Sequence, residues 1–133
     1  MTRKQALAKL IAKVEVGTLI PDNLIVSSEV SAMIDLAVNV SDLHGDVWAD
    51  LCAAYDGSLD AAKALHEAVL PDGEGWEVYR TGKYPGMIPG SSPYKFAARV
   101  GYGKTYNGDS DNPARAWLLS ILKALMSEIE NDA

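Results

Sequence analysis

The chain has 133 residues, 48% of them apolar, which fits one domain able to bury a core without metals or disulfide staples. Its 18 acidic and 12 basic side chains give a formal charge of -6, which argues against sequence-specific nucleic-acid binding, because phosphate neutralisation needs clustered Lys and Arg. The single cysteine, Cys52, points to a reducing cytoplasm, no early stretch has the form of a signal peptide, and no apolar run reaches the roughly 18 residues of a membrane span.

The first predicted helix covers residues 2–16. Leu7, Leu10, Ile11 and Val14 fall on one face, Thr2 and Gln5 have capping-box spacing, and Gly17 is a stop. A turn follows at Pro21-Asp22. Ser27 or Ser28 caps a second helix to about Val38, with Val30, Met33, Ile34 and Ala37 on its apolar face. After a polar turn at Asp42–Gly45, Val47, Trp48, Leu51, Cys52 and Tyr55 fit a short helix closed by Asp56-Gly57. Ser58 caps the next helix, whose Leu59, Ala62, Leu65 and Val69 are expected to face inward, and Pro71 ends it.

The period then changes from helical to two. Trp76, Val78 and Arg80 alternate with Glu77, Tyr79 and Thr81; Tyr94, Phe96, Ala98, Val100 and Tyr102 alternate with Lys95, Ala97, Arg99 and Gly101. Two such runs predict an antiparallel hairpin. Their connection, 82–93, holds three Gly and three Pro and is longer than most hairpin loops. A second turn-rich stretch is expected at Asn107–Asp111. Asn112 is then an N-cap and Pro113 the first residue of a helix to about Ile129. Ala114, Trp117, Leu118, Ile121, Leu122, Leu125 and Ile129 form its apolar stripe, and Ala116, Leu119 and Met126 widen it. So apolar a helix is either deeply buried or shared with another subunit, which makes Trp117, Leu119 and Met126 candidate interface residues. The expected fold is a single α+β domain: four to five helices, the β-hairpin after the early helices, then the long C-terminal helix.

Three segments are familiar in combination. Ala12–Gly17 precedes a second helix; Ser58–Leu65 runs into Val69-Leu70-Pro71 and Gly75-Trp76-Glu77-Val78; Asp111–Leu119 runs into Ile121–Leu125. In this order they resemble uncharacterised phage and prophage proteins similar to the phage ABA-sandwich domain. The resemblance covers most of the chain and consists of helix caps and core positions. It implies a small sheet with helices packed on it and a phage origin, and it carries no catalytic residue. Loop 82–93 departs from the pattern and is the part expected to be particular to this protein.

The residues assemble no familiar reactive centre. His44 and His66 are the only histidines, and Cys52 lies on an apolar helix face, where a thiol is usually inert. Two histidines and one distant cysteine do not make a zinc site. Asn107, Asp109, Asp111 and Asn112 lack EF-hand spacing, because Ser120 stands at the twelfth position. Gly103-Lys104-Thr105 is not a P-loop, because Ala98 stands where the first glycine is required. No enzyme, metal or cofactor is expected.

Basic and aromatic residues gather around the predicted hairpin. Arg80, Lys83, Tyr84, Tyr94, Lys95, Arg99, Lys104 and Tyr106 form the candidate binding set, with Arg115 near the start of the last helix as an added anion site. The expected function is that of a non-enzymatic phage accessory protein in the host bacterial cytoplasm. It would bind and neutralise a host factor, most plausibly a defence protein. The alternative is an oligomeric sponge, a homo-oligomer that sequesters a small anionic nucleotide ligand without cleaving it.

Overall fold

The computed structural model describes residues 2–19, 27–38, 46–70, 75–81, 94–102 and 104–131. The turns expected at Pro21-Asp22 and Asp42–Gly45, Pro71, and loop 82–93 with the candidate residues Lys83 and Tyr84 lie outside the described residues. The elements in chain order are α1 (Arg3–Val16), α2 (Ser28–Val38), α3 (Asp46–Asp56), α4 (Leu59–Val69), β1 (Gly75–Arg80), β2 (Phe96–Tyr102), β3 (Lys104–Ser110) and α5 (Pro113–Asn131). The fold is α+β, with the helices first, then the strands, then a C-terminal helix.

Helix boundaries follow the capping chemistry. Thr2 and Gln5 form a reciprocal capping box on α1, and Gly17 ends that helix in the left-handed conformation at φ 84°. The Ser27 hydroxyl accepts from the Val30 N–H and the Ser58 hydroxyl from the Ala61 N–H, each at 3.1 Å. Asn112 Oδ1 accepts from the Ala114 and Arg115 N–H groups at the start of α5. One predicted face is rotated. In α4, Leu59 is exposed and Val69 half-buried, while Ala61, Ala62, Leu65 and His66 are buried. The buried face follows the position of α3 and α5, against which α4 packs, rather than the first apolar residue after the cap.

The strands form one antiparallel sheet in the order β1-β2-β3. The β1–β2 pair is the predicted one, with Trp76 opposite Val100 and Val78 opposite Ala98. The third strand was not expected. Residues 104–110 read as turn chemistry because Asn107, Gly108 and Asp109 are poor strand formers. They nevertheless pair with β2, placing Tyr106 opposite Val100 and Gly108 opposite Ala98.

Helix α5 is the axis of the core and packs against β1, β2, β3, α1, α3 and α4. Ala116, Ser120 and Ala124 recur every four residues and are wholly buried, so one side of α5 carries only small groups. The Ser120 hydroxyl donates to the Trp117 carbonyl at 2.7 Å, so its polar atom is paired inside the core. Gly108 of β3 lies against this stripe. A Cβ there would sit 2.3 Å from the Ala116 carbonyl oxygen, 2.8 Å from Leu119 Cβ and 2.8 Å from the Ser120 nitrogen. A strand glycine is here the means of close approach between two backbones.

The two alternatives for α5 are thereby decided. Trp117 and Leu119 are 2% exposed and Met126 is half-buried against the core. Trp117 and Leu119 are corrected as interface candidates, because a sheet and three helices surround α5 and bury them within the chain; Met126 is half-buried.

The Gly108→Ala variant is expected to lose at least about 2 kcal/mol of stability, at the upper part of the range for overpacked cores, because the obstructing atoms are backbone. Chemical denaturation compared with the parent chain measures it; an unchanged midpoint contradicts the close approach.

Candidate functional site

Alternation sorts the strand residues between two faces. Trp76, Val78, Ala98, Val100, Tyr106 and Gly108 share the face toward α5, and by the same alternation Arg80 belongs to it. Glu77, Tyr79, Arg99 and Asn107 share the opposite face, and all four are exposed.

On that open face Arg99 lies in register between Glu77 and Asn107. Its Nε is 3.6 Å from Glu77 Oε1, its Cζ is 5.4 Å from the centre of the Tyr79 ring, and it makes a long 3.5 Å hydrogen bond to the Tyr79 hydroxyl. The Tyr79 hydroxyl first, and then the Glu77 carboxylate, hold the guanidinium above its ordinary value. A planar cation and an aromatic ring are thus fixed side by side in solvent.

The other sequence candidates disperse. Arg115 is not an anion site: its Nε donates to the Tyr55 carbonyl at 3.0 Å and its Cζ lies 3.9 Å from the Tyr55 ring centre. It is half-buried beside Gly17 as well, so its charge serves the carbonyl ends of α3 and α1. Tyr106 is half-buried on the core side, and its hydroxyl is hydrogen-bonded to the Ser127 hydroxyl. Lys95 is exposed, and its backbone N–H donates to Asp111 Oδ1. Lys104 is exposed at the start of β3. Tyr94 is exposed next to Lys95, and its carbonyl accepts from the Thr81 hydroxyl.

Tyr94 also borders an open pocket of about 120 Å³, together with Glu15, Asp109, Leu119 and Lys123. Two carboxylates against one ammonium do not suit an anionic ligand. Asp109, expected in a turn, belongs to β3 and this rim. Among the described residues no group of three or more His, Cys, Asp or Glu side chains is arranged to hold a metal.

His66 has a partner that sequence spacing did not indicate. His66 is 4% exposed, and Trp117 Nε1–H donates to its Nδ1 at 3.3 Å. The rings lie 5.9 Å apart, and Trp76 stacks on the far side of the pair, 4.1 Å from Trp117. An Nδ1 that accepts is unprotonated, so the neutral ring carries its proton on Nε2. Burial pushes the imidazole below its ordinary value, against a smaller opposing pull from Glu67. Cys52 is half-buried, and burial pushes its thiol up, the reverse of an activated nucleophile. No helix among the described residues is long and apolar enough to cross a membrane.

No protein-family model matches the chain, and neither a curated protein nor a solved structure is similar to it.

The His66 contact sets a pH dependence. Its folded-state pKa is lowered, so the unfolded chain takes up the proton first. The stabilisation is complete above the ordinary value near 6.5 and is lost as the pH falls below it. The melting temperature is expected to fall between about pH 6.5 and 5, before most carboxylates titrate. The His66→Asn variant keeps an acceptor for Trp117 and is expected to flatten that slope; an unaltered slope assigns it to other groups.

Proposed function

We propose that this chain is a non-catalytic recognition protein whose contact surface is the open face of the sheet, centred on Tyr79 and Arg99. The observation that carries this reading is the exposed Tyr79–Arg99–Glu77 arrangement. Tyr and Arg are the residue types that dominate protein interfaces, and an Arg already held over a ring loses little freedom on binding. The face displays Glu77, Tyr79, Arg99 and Asn107 side by side in solvent, a spread of side chains that suits a protein partner better than a small molecule. A charge of -6 favours a partner with a basic surface.

The partner class comes from the sequence resemblance. On that reading the chain is a phage accessory protein acting in the host cytoplasm, and the partner is a host defence protein that it neutralises. The nucleotide-sponge alternative draws less support. Its intended cluster is divided, with Arg80 across the sheet, Arg115 committed to Tyr55 and Arg99 accompanied by Glu77.

Affinity capture from host lysate is expected to retain one host protein. The Arg99→Ala variant is expected to weaken that capture at least about tenfold, as for an interface anchor, with its melting temperature unchanged. Capture of nothing, together with no effect of the expressed chain on host immunity, ends the proposal. A panel of linear and cyclic nucleotides is expected to leave the melting temperature unmoved, and a ligand-dependent rise would favour the sponge instead.

A further inference from the structure

We infer that β1 is the seat of a two-fold dimer, in which the β1 strands of two copies pair antiparallel and join their sheets into one of six strands. This stands independently of the proposed function.

Among the described residues, β1 has a strand partner on one side only. Sheet edges are ordinarily protected by Pro, Lys, bulges or short length. Residues 75–80 contain no Pro and no Lys, form an unbroken ladder with β2, and expose Trp76 at 47% and Tyr79 at 38%. The opposite edge contrasts with this. There β3 carries Lys104, Asn107, Gly108 and Asp109, whereas β1 carries Gly75 and the opposite charges Glu77 and Arg80 but no lysine.

The hydrogen-bond phase of β1 is known. The Thr81 N–H donates to the Lys95 carbonyl at 2.9 Å, so Thr81 and, by alternation, Tyr79, Glu77 and Gly75 turn their backbone groups toward β2. Trp76, Val78 and Arg80 therefore turn theirs outward. An added antiparallel strand must set its own outward residues opposite these three, which excludes every register that pairs an even-numbered residue with an odd one.

Charge chooses among the registers that remain. A two-fold axis through Glu77 sets two carboxylates face to face, and like charges directly opposite are destabilising. An axis through Tyr79 leaves Trp76 and Glu77 without a strand residue opposite. An axis through Val78 pairs residues 76–80 among themselves and sets Gly75 opposite Thr81: Val78 meets Val78, each Trp76 meets an Arg80, and each Glu77 meets a Tyr79. Trp76 stacks one ring face on Trp117, and its exposed remainder is available to the arriving guanidinium. Of the three central registers this one is self-complementary without a like-charge pair, which favours a second copy as the occupant.

The solution mass of the chain is expected to be twice the 14.3 kDa of one chain at micromolar concentration. Tyr79→Glu sets a carboxylate opposite Glu77 of the second copy and is expected to give a monomer. Adding Glu77→Lys turns that repulsion into a cross-strand ion pair and is expected to restore the dimer. In the unmodified chain, hydrogen exchange at the Trp76, Val78 and Arg80 amides is expected to be slow, and this measurement needs no variant. A parent chain that is monomeric with fast exchange at those three amides overturns the proposal. So does a dimer whose mass Tyr79→Glu leaves unchanged while the variant stays folded. Amides that become protected only when a host protein is added assign the edge to a partner's strand and also overturn it.

Discussion

The position of the sheet rests on the contact between Gly108 and the small-residue side of α5. Backbone meets backbone there, because neither surface carries a side chain large enough to hold the elements apart. That approach brings Ala98 and Val100 into the core and sets the depth at which Trp76 reaches Trp117. The stacked Trp76–Trp117 pair and the Trp117–His66 hydrogen bond then tie β1, α5 and α4 together. Packing this close is intolerant of added volume, which is why a glycine in mid-strand is retained despite its poor strand propensity.

Arginine shows how position decides what a charge does. Arg3 donates to the Ala37 carbonyl at the end of α2, and Arg115 donates to the Tyr55 carbonyl near the end of α3. Both bring a cation to the negative end of a helix and leave their stems in contact with the protein. Arg99 stands on the open sheet face beside Tyr79 and Glu77. The first two hold elements together, and the third is presented to solvent. The charged pocket at Glu15, Asp109 and Lys123 has the wrong sign for a phosphate.

The described interior is also quiet chemically. Every buried side-chain nitrogen or oxygen among the described residues has a hydrogen-bond partner. Burial pushes both the His66 imidazole toward its neutral form and the Cys52 thiol toward its protonated form, and Trp117 donates to the imidazole Nδ1. Groups that are satisfied in this way stabilise the fold.

Local chemistry made much of this legible in the residues themselves. The caps at Thr2, Ser58 and Asn112, the stop at Gly17, and the pairing of β1 with β2 depend on neighbours close in sequence or on simple alternation, so they can be read without coordinates. The basic and aromatic enrichment around the hairpin was likewise visible and included Arg99, but its neighbours Tyr79 and Glu77 lay outside the candidate set and were supplied by the strand register. Three things were decided only by the tertiary structure. β3 exists because α5 offers Gly108 a groove, and that benefit outweighs the turn propensity of Asn107 and Asp109. Arg80, Arg115 and Tyr106 were separated from Arg99 because strand parity and helix ends, not sequence proximity, assign a side chain to a surface. Trp117 and Leu119 became core because elements distant in the chain converge on α5, and burial is a property of that convergence rather than of any single segment.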